Sequence, residues 1–291
     1  PSVSEVIDRL DRLNGPDLTT VLLEVFRRRT ASVTELPARH LQSRFTKPAP
    51  VAHEKIRQAE DAVLSVLPDG VELVQLAPAA PLGAHVALGG SSQDRLVTTI
   101  RRTEMTADPT LGLAIEIATR RRAHRGDMTL ATVQRVSRAQ GFEGEHSYGH
   151  FTLFGMVTAG RDRGSADFER WAAVEHLTLM IEAVTRAGGE RLEVSVIDPA
   201  PDQPILQAVT DAMAPDIRIH EISEQLGDYY VTARFGVTAD LGGERFDVGD
   251  GGFTTWTARM LSDRKERLCI TGLGIDRLAV LMEGDDPPRT P

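Results

Sequence analysis

The chain has 291 residues, 33 Lys and Arg against 42 Asp and Glu for a net charge of −9, and 41% hydrophobic residues, values of a globular protein with a sizeable core and little general affinity for nucleic acid. Its longest apolar runs, such as Leu278-Ala279-Val280-Leu281-Met282, fall far short of the ~20 residues that cross a bilayer, and no membrane span is expected. The start, Pro1 to Glu5, lacks a secretory pattern and Cys269 is the single cysteine, so the expected compartment is the cytoplasm, with neither an internal disulfide framework nor a cysteine-based zinc cluster.

Ser2 and Glu5 form a capping-box pattern ahead of Val3, Val6, Ile7, Leu10 and Leu13 at helical spacing, and Asn14-Gly15-Pro16 stops the run. A second helix is expected from Asp17, burying Leu18, Val21, Leu22, Val25 and Phe26, with Arg27 to Arg29 complementing its C-terminal dipole. A third covers Ala38 to Phe45. Residues 1–48 thus read as a helical extension, able to bind a protein partner or pad a dimer. Residues 49–284 read as the main domain and 285–291 as a disordered tail.

From Val51 an amphipathic helix with Ile56, Ala59, Val63, Val66 and Leu67 runs to Pro68-Asp69-Gly70. Strand patterns follow at Val71 to Leu76, Arg95 to Arg102, Thr129 to Ser137, His150 to Thr158, Arg191 to Ile197, Ile217 to Ile222, Asp228 to Thr238, Gly252 to Thr257 and Arg267 to Thr271. Helices are expected at Leu111 to Arg122, Ala166 to Ala187, Gln203 to Met213 and Gly274 to Glu283. Phe168 and Trp171 are assigned to the core, and Arg120 to Arg122 to a helix C-terminus. Several strands succeed one another without a crossover helix, which predicts an α+β fold: an antiparallel sheet flanked by helices.

No P-loop, dinucleotide fingerprint or Gly-x-Ser-x-Gly elbow is present. His146 and His150 lack a zincin context, so no metal site is assigned, and His176 reads as a packing residue rather than a catalyst. Two stretches are informative together. Thr271-Gly272-Leu273-Gly274-Ile275-Asp276-Arg277 puts glycines between a strand and a helix, with an arginine in the first turn. Glycine permits close approach to the backbone, and an arginine fork suits phosphate. Arg138 ends one strand, a polar loop runs to Gly149, and the next strand begins His150-Phe151-Thr152-Leu153.

These stretches resemble motifs 3 and 2 of the class II aminoacyl-tRNA synthetases, and the likeness is to histidyl-tRNA synthetase and its paralogue, the regulatory subunit of ATP phosphoribosyltransferase. It runs from about residue 50 to 284. Gly272-Leu273-Gly274-Ile275-Asp276-Arg277 follows the motif 3 pattern, and Gly70 to Pro78 stands for motif 1, which implies a homodimer. The resemblance implies binding of ATP and Mg2+. Arg138 and Arg277 become the catalytic cations, and Phe151 and Gly274 join them around the nucleotide. Glu143 or Glu145 holds magnesium or the adenine amine. The implied substrate pocket contains Asp108, Thr110, Leu153, Val157, Tyr229, Tyr230, Gly251 and Gly252, with Arg102 and Glu104 facing it and Arg161 to Arg163 as a rim or a solvated turn.

The sequence also departs from the pattern. Leu153 and Val157 stand where the histidyl family reads imidazole, and each lost hydrogen bond costs ~1–3 kcal/mol, so histidine is not the expected substrate. Gln225 replaces a catalytic arginine, Ser147 replaces a loop arginine, and the sequence ends soon after motif 3 with no anticodon-binding domain. Aminoacylation of tRNA is therefore not expected. The implied activity is ATP-dependent activation of an amino acid or other small carboxylate, with transfer to a non-tRNA acceptor. The alternative is a catalytically inactive regulatory or ligand-binding paralogue.

Overall fold

A computed structural model of the chain describes residues 1–140, 149–241 and 244–282. Glu143, Glu145, His146, Ser147 and the 285–291 tail lie outside the described residues.

The N-terminal helices form where the sequence predicts them. α1 (Val3–Asp11) starts at Ser2, whose hydroxyl accepts from the Glu5 N–H (3.2 Å) while Glu5 accepts from the Ser2 N–H (2.8 Å). α2 (Gly15–Arg27) is capped by Asn14, and α3 (Leu36–Gln42) follows a short 3-10 turn. None of the three contains a buried residue, which corrects the expectation that α2 buries its apolar face. Val21, Val25 and Phe26 are exposed because no other element among the described residues covers them. The extension meets the main domain at Gly15 and near its C-terminal end. The Arg102 guanidinium fills the space beside Gly15, and Arg44 donates to the carbonyls of Ala139 and Gln140.

The main domain begins with α4 (His53–Leu64), which buries Ile56, Ala59 and Val63. Then come β1 (Glu72–Leu73), β2 (Ala79–Pro81), α5 (Ala84–Gly89), β3 (Thr103–Met105), α6 (Pro109–Arg121), β4 (Met128–Ser137) and β5 (His150–Arg161). The long helix α7 (Asp167–Arg186) precedes β6 (Glu190–Ile197), α8 (Pro204–Ala212) and β7 (Arg218–Glu221). The chain closes with β8 (Arg234–Leu241), β9 (Glu244–Thr254), α9 (Trp256–Leu261), β10 (Glu266–Gly274) and α10 (Ile275–Leu281). Eight strands form one sheet in the order β1-β4-β5-β10-β9-β8-β6-β7, antiparallel except for β1 on β4 and β6 on β7. Flanking helices complete the predicted α+β architecture.

Three strand expectations need correction. Residues 96–102 do not form a strand of the sheet: Thr99 N–H donates to Thr103 O (2.9 Å), and this turn leads into the β2–β3 pair. Residues 228–233 precede β8 because the Tyr229 and Tyr230 rings turn inward, Tyr229 onto Trp256. Residues 256 and 257, read as strand, open α9.

The two sheet faces carry different loads. Phe154, Met156, Cys269, Leu273, Phe235 and Val237 face α4, α7 and α10 in one continuous core. On the other face Leu130, Val157, Leu268 and Ile270 are sealed by Leu111, Leu113, Ile117 and Trp256. Phe168 is fully buried, but Trp171 is 37% exposed, contrary to its assignment to the core. No helix among the described residues is long and apolar enough to cross a membrane.

α7 also carries His176 under the sheet, between Thr158 Oγ1 (2.8 Å from Nε2) and Thr271 Oγ1 (2.7 Å from Nδ1). Burial lowers its pKa to about 3, well below the 6.5 of an unperturbed imidazole. The unfolded chain therefore binds a proton that the folded chain refuses between those values. Stability from this group is complete above pH 6.5 and falls as pH drops toward 3, by up to about 1.4 kcal/mol per pH unit. Urea unfolding at pH 7 and pH 4.5 is expected to cost the wild type about 2–3 kcal/mol more than it costs His176→Gln. Equal losses would show that His176 does not resist protonation.

Candidate functional site

A cavity of about 450 Å3 opens on the face that carries α6, beyond the sealed Trp256 cluster. Register places the sheet surface beside it, of which Asp250, Arg234 and Ile197 reach the cavity lining. Gly155, Gly272, Asp250 and Gly236 lie side by side across β5, β10, β9 and β8, and Arg234 pairs with Gly252 and Ile197 on the same side. Glycine recurs there for a reason. At Gly155 a Cβ would press on Pro109 and Thr110, whereas at Gly272 it would meet nothing closer than Phe154 O at 3.9 Å. The first glycine admits α6; the second leaves that stretch of the sheet surface uncovered.

Asp108 forms one wall. As the N-cap of α6 it accepts at Oδ1 from the Thr110 N–H (2.9 Å) and hydroxyl (2.7 Å), and at Oδ2 from the Tyr229 hydroxyl (3.2 Å). Tyr230 donates to Asp250 Oδ2 (3.2 Å), and the tyrosine rings meet edge-on with centroids 4.8 Å apart. Burial pushes both phenols well above their usual pKa, aided for Tyr229 by the Asp108 charge and for Tyr230 by that of Asp250. Burial also raises Asp250, against the opposing pull of Arg234.

Arg138 enters from the end of β4. Its Nε donates to Ala107 O (2.8 Å) and its guanidinium lies over the Phe151 ring at 5.1 Å. Behind it runs a buried chain. The Ala107 N–H donates to His85 Nε2 (3.0 Å), so the ring proton sits on Nδ1 and goes to Glu104 Oε1 (2.6 Å). Glu104 also accepts from the N–H groups of Gly83 and His85 and from Gln93. Burial alone would raise its carboxyl; these four donors outweigh it and hold the pKa below the ordinary carboxylate value. The segment carrying the Arg138 acceptor is thus fixed from beneath. Arg44 and Lys47 of the extension tie down the same region, Lys47 O accepting from His150 Nε2 (2.6 Å).

Of the sequence-predicted residues, Arg138, Asp108, Tyr229 and Tyr230 line the cavity together, and Phe151 touches Arg138. Several do not reach it. Val157 is sealed under α6, because alternation along β5 puts it on the cavity-side face but beneath Leu111 and Trp256. Thr110 spends its hydroxyl on Asp108. Gly251 faces the opposite side, where a Cβ would strike the Phe235 ring at 2.4 Å, while Gly252 lies under Tyr230. Leu153 is half-buried, in register with Gly274 on the cavity-side face but away from the cavity wall.

Arg277 is exposed and donates to Asp247 O (2.7 Å), outside the cavity lining. Its methylenes lie over Gly274, where a Cβ would meet them at 3.2–3.4 Å, so it stands beside the open floor. Its neighbour Asp276 is buried and accepts the Thr152 N–H (2.6 Å), tying the start of α10 to β5. Glu104 faces His85 rather than the cavity, and Arg102 packs at Gly15. Arg161 pairs with Asp263 and Glu266 and Arg163 with Asp127, so neither rims the site.

Sequence reasoning missed Arg234, Asp250, His85 and Arg95, all on the cavity wall. Arg234 and Asp250 are polar residues on strands whose other face is core, a pattern that also describes plain solvent exposure.

Comparison of the fold settles its class. A histidine–tRNA ligase subunit from Alicyclobacillus acidocaldarius superposes with TM-score 0.61 at 15% identity, covering 83% of this chain and 98% of that one. An ATP phosphoribosyltransferase regulatory subunit/histidyl-tRNA synthetase from Bacillus halodurans gives 0.60 at 14% identity, over 82% and 83%. Staphylococcus aureus histidyl-tRNA synthetase gives 0.59 at 13%, over 83% and 71%. The fold is that of the class II aminoacyl-tRNA synthetase core. A scan against protein-family models and a search of the curated proteins both find no match.

Proposed function

We propose that this class II core binds ATP and a small carboxylate in the cavity and joins them as an acyl-adenylate, passing the acyl group to an acceptor other than tRNA. The observation that carries the reading is Arg138: a guanidinium braced at Nε by Ala107 and stacked on Phe151, lining a cavity that it shares with Asp108, Arg234 and Asp250. A fork held in that way is set to grip a carboxylate and an α-phosphate at once. The carboxylate oxygen attacks the α-phosphorus, and the bond to the bridging oxygen breaks with its electron pair leaving on pyrophosphate. Arg138 offsets the charge that builds up on the phosphorus.

Gly272 leaves the sheet surface open near Arg277, whose methylenes lie over Gly274 and whose guanidinium in this reading exchanges the Asp247 carbonyl for the distal phosphates. Asp108, with Tyr229, accepts the amino group of an amino-acid substrate. Magnesium would supply neutralisation of part of the phosphate charge. Among the described residues no cluster of three carboxylate, histidine or cysteine side chains forms a metal site. In this reading Glu143 or Glu145, which lie outside the described residues, would hold magnesium or the adenine amine. A homodimer is part of the same proposal.

The second reading, a regulatory ligand-binding paralogue, is favoured by Gln225, a neutral side chain on the cavity wall where the resemblance leads one to expect a cation. ATP–pyrophosphate exchange with a panel of amino acids separates the two. Exchange dependent on one carboxylate supports the enzyme; ATP or carboxylate binding with no exchange supports the regulatory protein.

A further inference from the structure

Arg234 and Asp250 stand on adjacent strands of the cavity floor, diagonally across the β8–β9 ladder, since Arg234 registers with Gly252 and Asp250 with Gly236. Their side chains are 48% and 47% exposed, and their closest N–O distance is 3.5 Å, a loose contact. Asp250 receives one hydrogen bond, from Tyr230. Arg234 lines the cavity, and its contact with Asp250 at 3.5 Å is longer than a normal hydrogen bond, so its guanidinium keeps donor capacity for a ligand there. A second acid and arginine, Asp108 and Arg138, stand in the same cavity, and both act electrostatically on Asp250.

The charges limit what fits. A carboxylate on Arg234 would lie against Asp250, and an ammonium on Asp250 would lie against Arg234; either leaves one repulsive contact. A neutral group with an acceptor and a donor a few ångströms apart satisfies both. The geometry points to Arg234 and Asp250 as the specificity pair for a carboxamide, Arg234 donating to its oxygen and Asp250 accepting from its NH2. The substrate class is then an amino acid or related small carboxylate whose far end is a primary amide, with Arg138 and Asp108 taking the carboxylate and amine. This rests on the substrate reading of the cavity proposed above, but not on adenylate chemistry.

The test measures direct binding by titration calorimetry, with and without Mg·ATP, of glutamine, asparagine, glutamate, aspartate and norleucine. A built donor–acceptor site rejects an isostere that leaves its groups unpaired. The wild type is expected to bind one of the amides at least tenfold better than its acid and than norleucine. In Asp250→Asn the repulsion is gone, and the ratio is expected to swing at least tenfold toward the acid; Arg234→Gln is expected to weaken the amide without improving the acid. A merely structural pair would lower all affinities together and leave the ratios unchanged. Equal or acid-favouring affinities in the wild type, or ATP binding with no affinity for any of the five, would overturn the assignment while leaving the nucleotide reading intact. Amide binding without ATP binding would keep the assignment and remove the adenylate reading.

Discussion

Glu266→Ala is expected to destabilise the protein by about 3–5 kcal/mol, the usual cost of stranding one member of a buried ion pair. The Arg121 side chain is 0% and that of Glu266 5% exposed, and two hydrogen bonds of 2.5 and 3.0 Å join them. Arg121 has one further acceptor, Gly126 O at 2.6 Å, so without the carboxylate its charge stays buried and largely unpaired. Arg161 also reaches Glu266 at 3.3 Å but keeps Asp263 as its own partner at 2.7 Å. Replacing both partners removes the stranded charge, and Arg121→Met/Glu266→Leu is expected to recover most of the loss. Urea unfolding of wild type, the single variant and the double variant measures the difference. A double variant no more stable than the single one would show that the site needs the ion pair itself and not merely charge neutrality.

Arg138→Ala is expected to weaken ATP binding and slow pyrophosphate exchange by about 100–1,000-fold, because a bidentate guanidinium contact to a phosphate or carboxylate in a partly dry cavity is worth several kcal/mol. The stability cost is expected near 1 kcal/mol, one hydrogen bond to Ala107 and the contact with Phe151. Lysine at this position supplies charge without a fork, so Arg138→Lys is expected to restore little. Arg277→Ala, whose guanidinium is exposed on the carbonyl of Asp247, is expected to cost less, about tenfold. Titration of ATP against the three variants, with melting temperatures alongside, checks both effects. Wild-type affinity in Arg138→Ala would remove the cavity from the proposed chemistry.

The parts of the fold readable in the sequence are those with a local cause. The capping box fixes the start of α1, and long unbroken periodicity marks α7. Alternation marks β4 and β5, which pair along the whole of β4. Where tertiary contacts choose among local options, the reading fails. Leu96 to Ile100 has strand composition, but a turn closed by Thr99 and Thr103 takes it out of the main sheet. Trp256 has strand propensity yet opens α9, filling the space under Tyr229.

The same division runs through the site. Arg138 was legible at a strand end before a polar loop, whereas Asp108 and the paired tyrosines were legible only through the resemblance to the class II family. Val157 was misplaced because alternation along β5 gives the sheet face but not where α6 ends its cover. Arg120 to Arg122 looked like one cluster of helix-end charges. The fold separates Arg120, paired with Glu72 and Glu116, from Arg121, whose partner lies 145 residues away. No sequence period reports a contact of that range.

A crystal structure with ATP and magnesium bound tests most directly whether the cavity is the nucleotide site. The expected density places the α-phosphate on the Arg138 fork, the adenine against Phe151 and the triphosphate over Gly272 toward Arg277. Nucleotide density elsewhere on the protein, or a cavity filled by the carboxylate alone with Arg138 still turned from any phosphate, would contradict it.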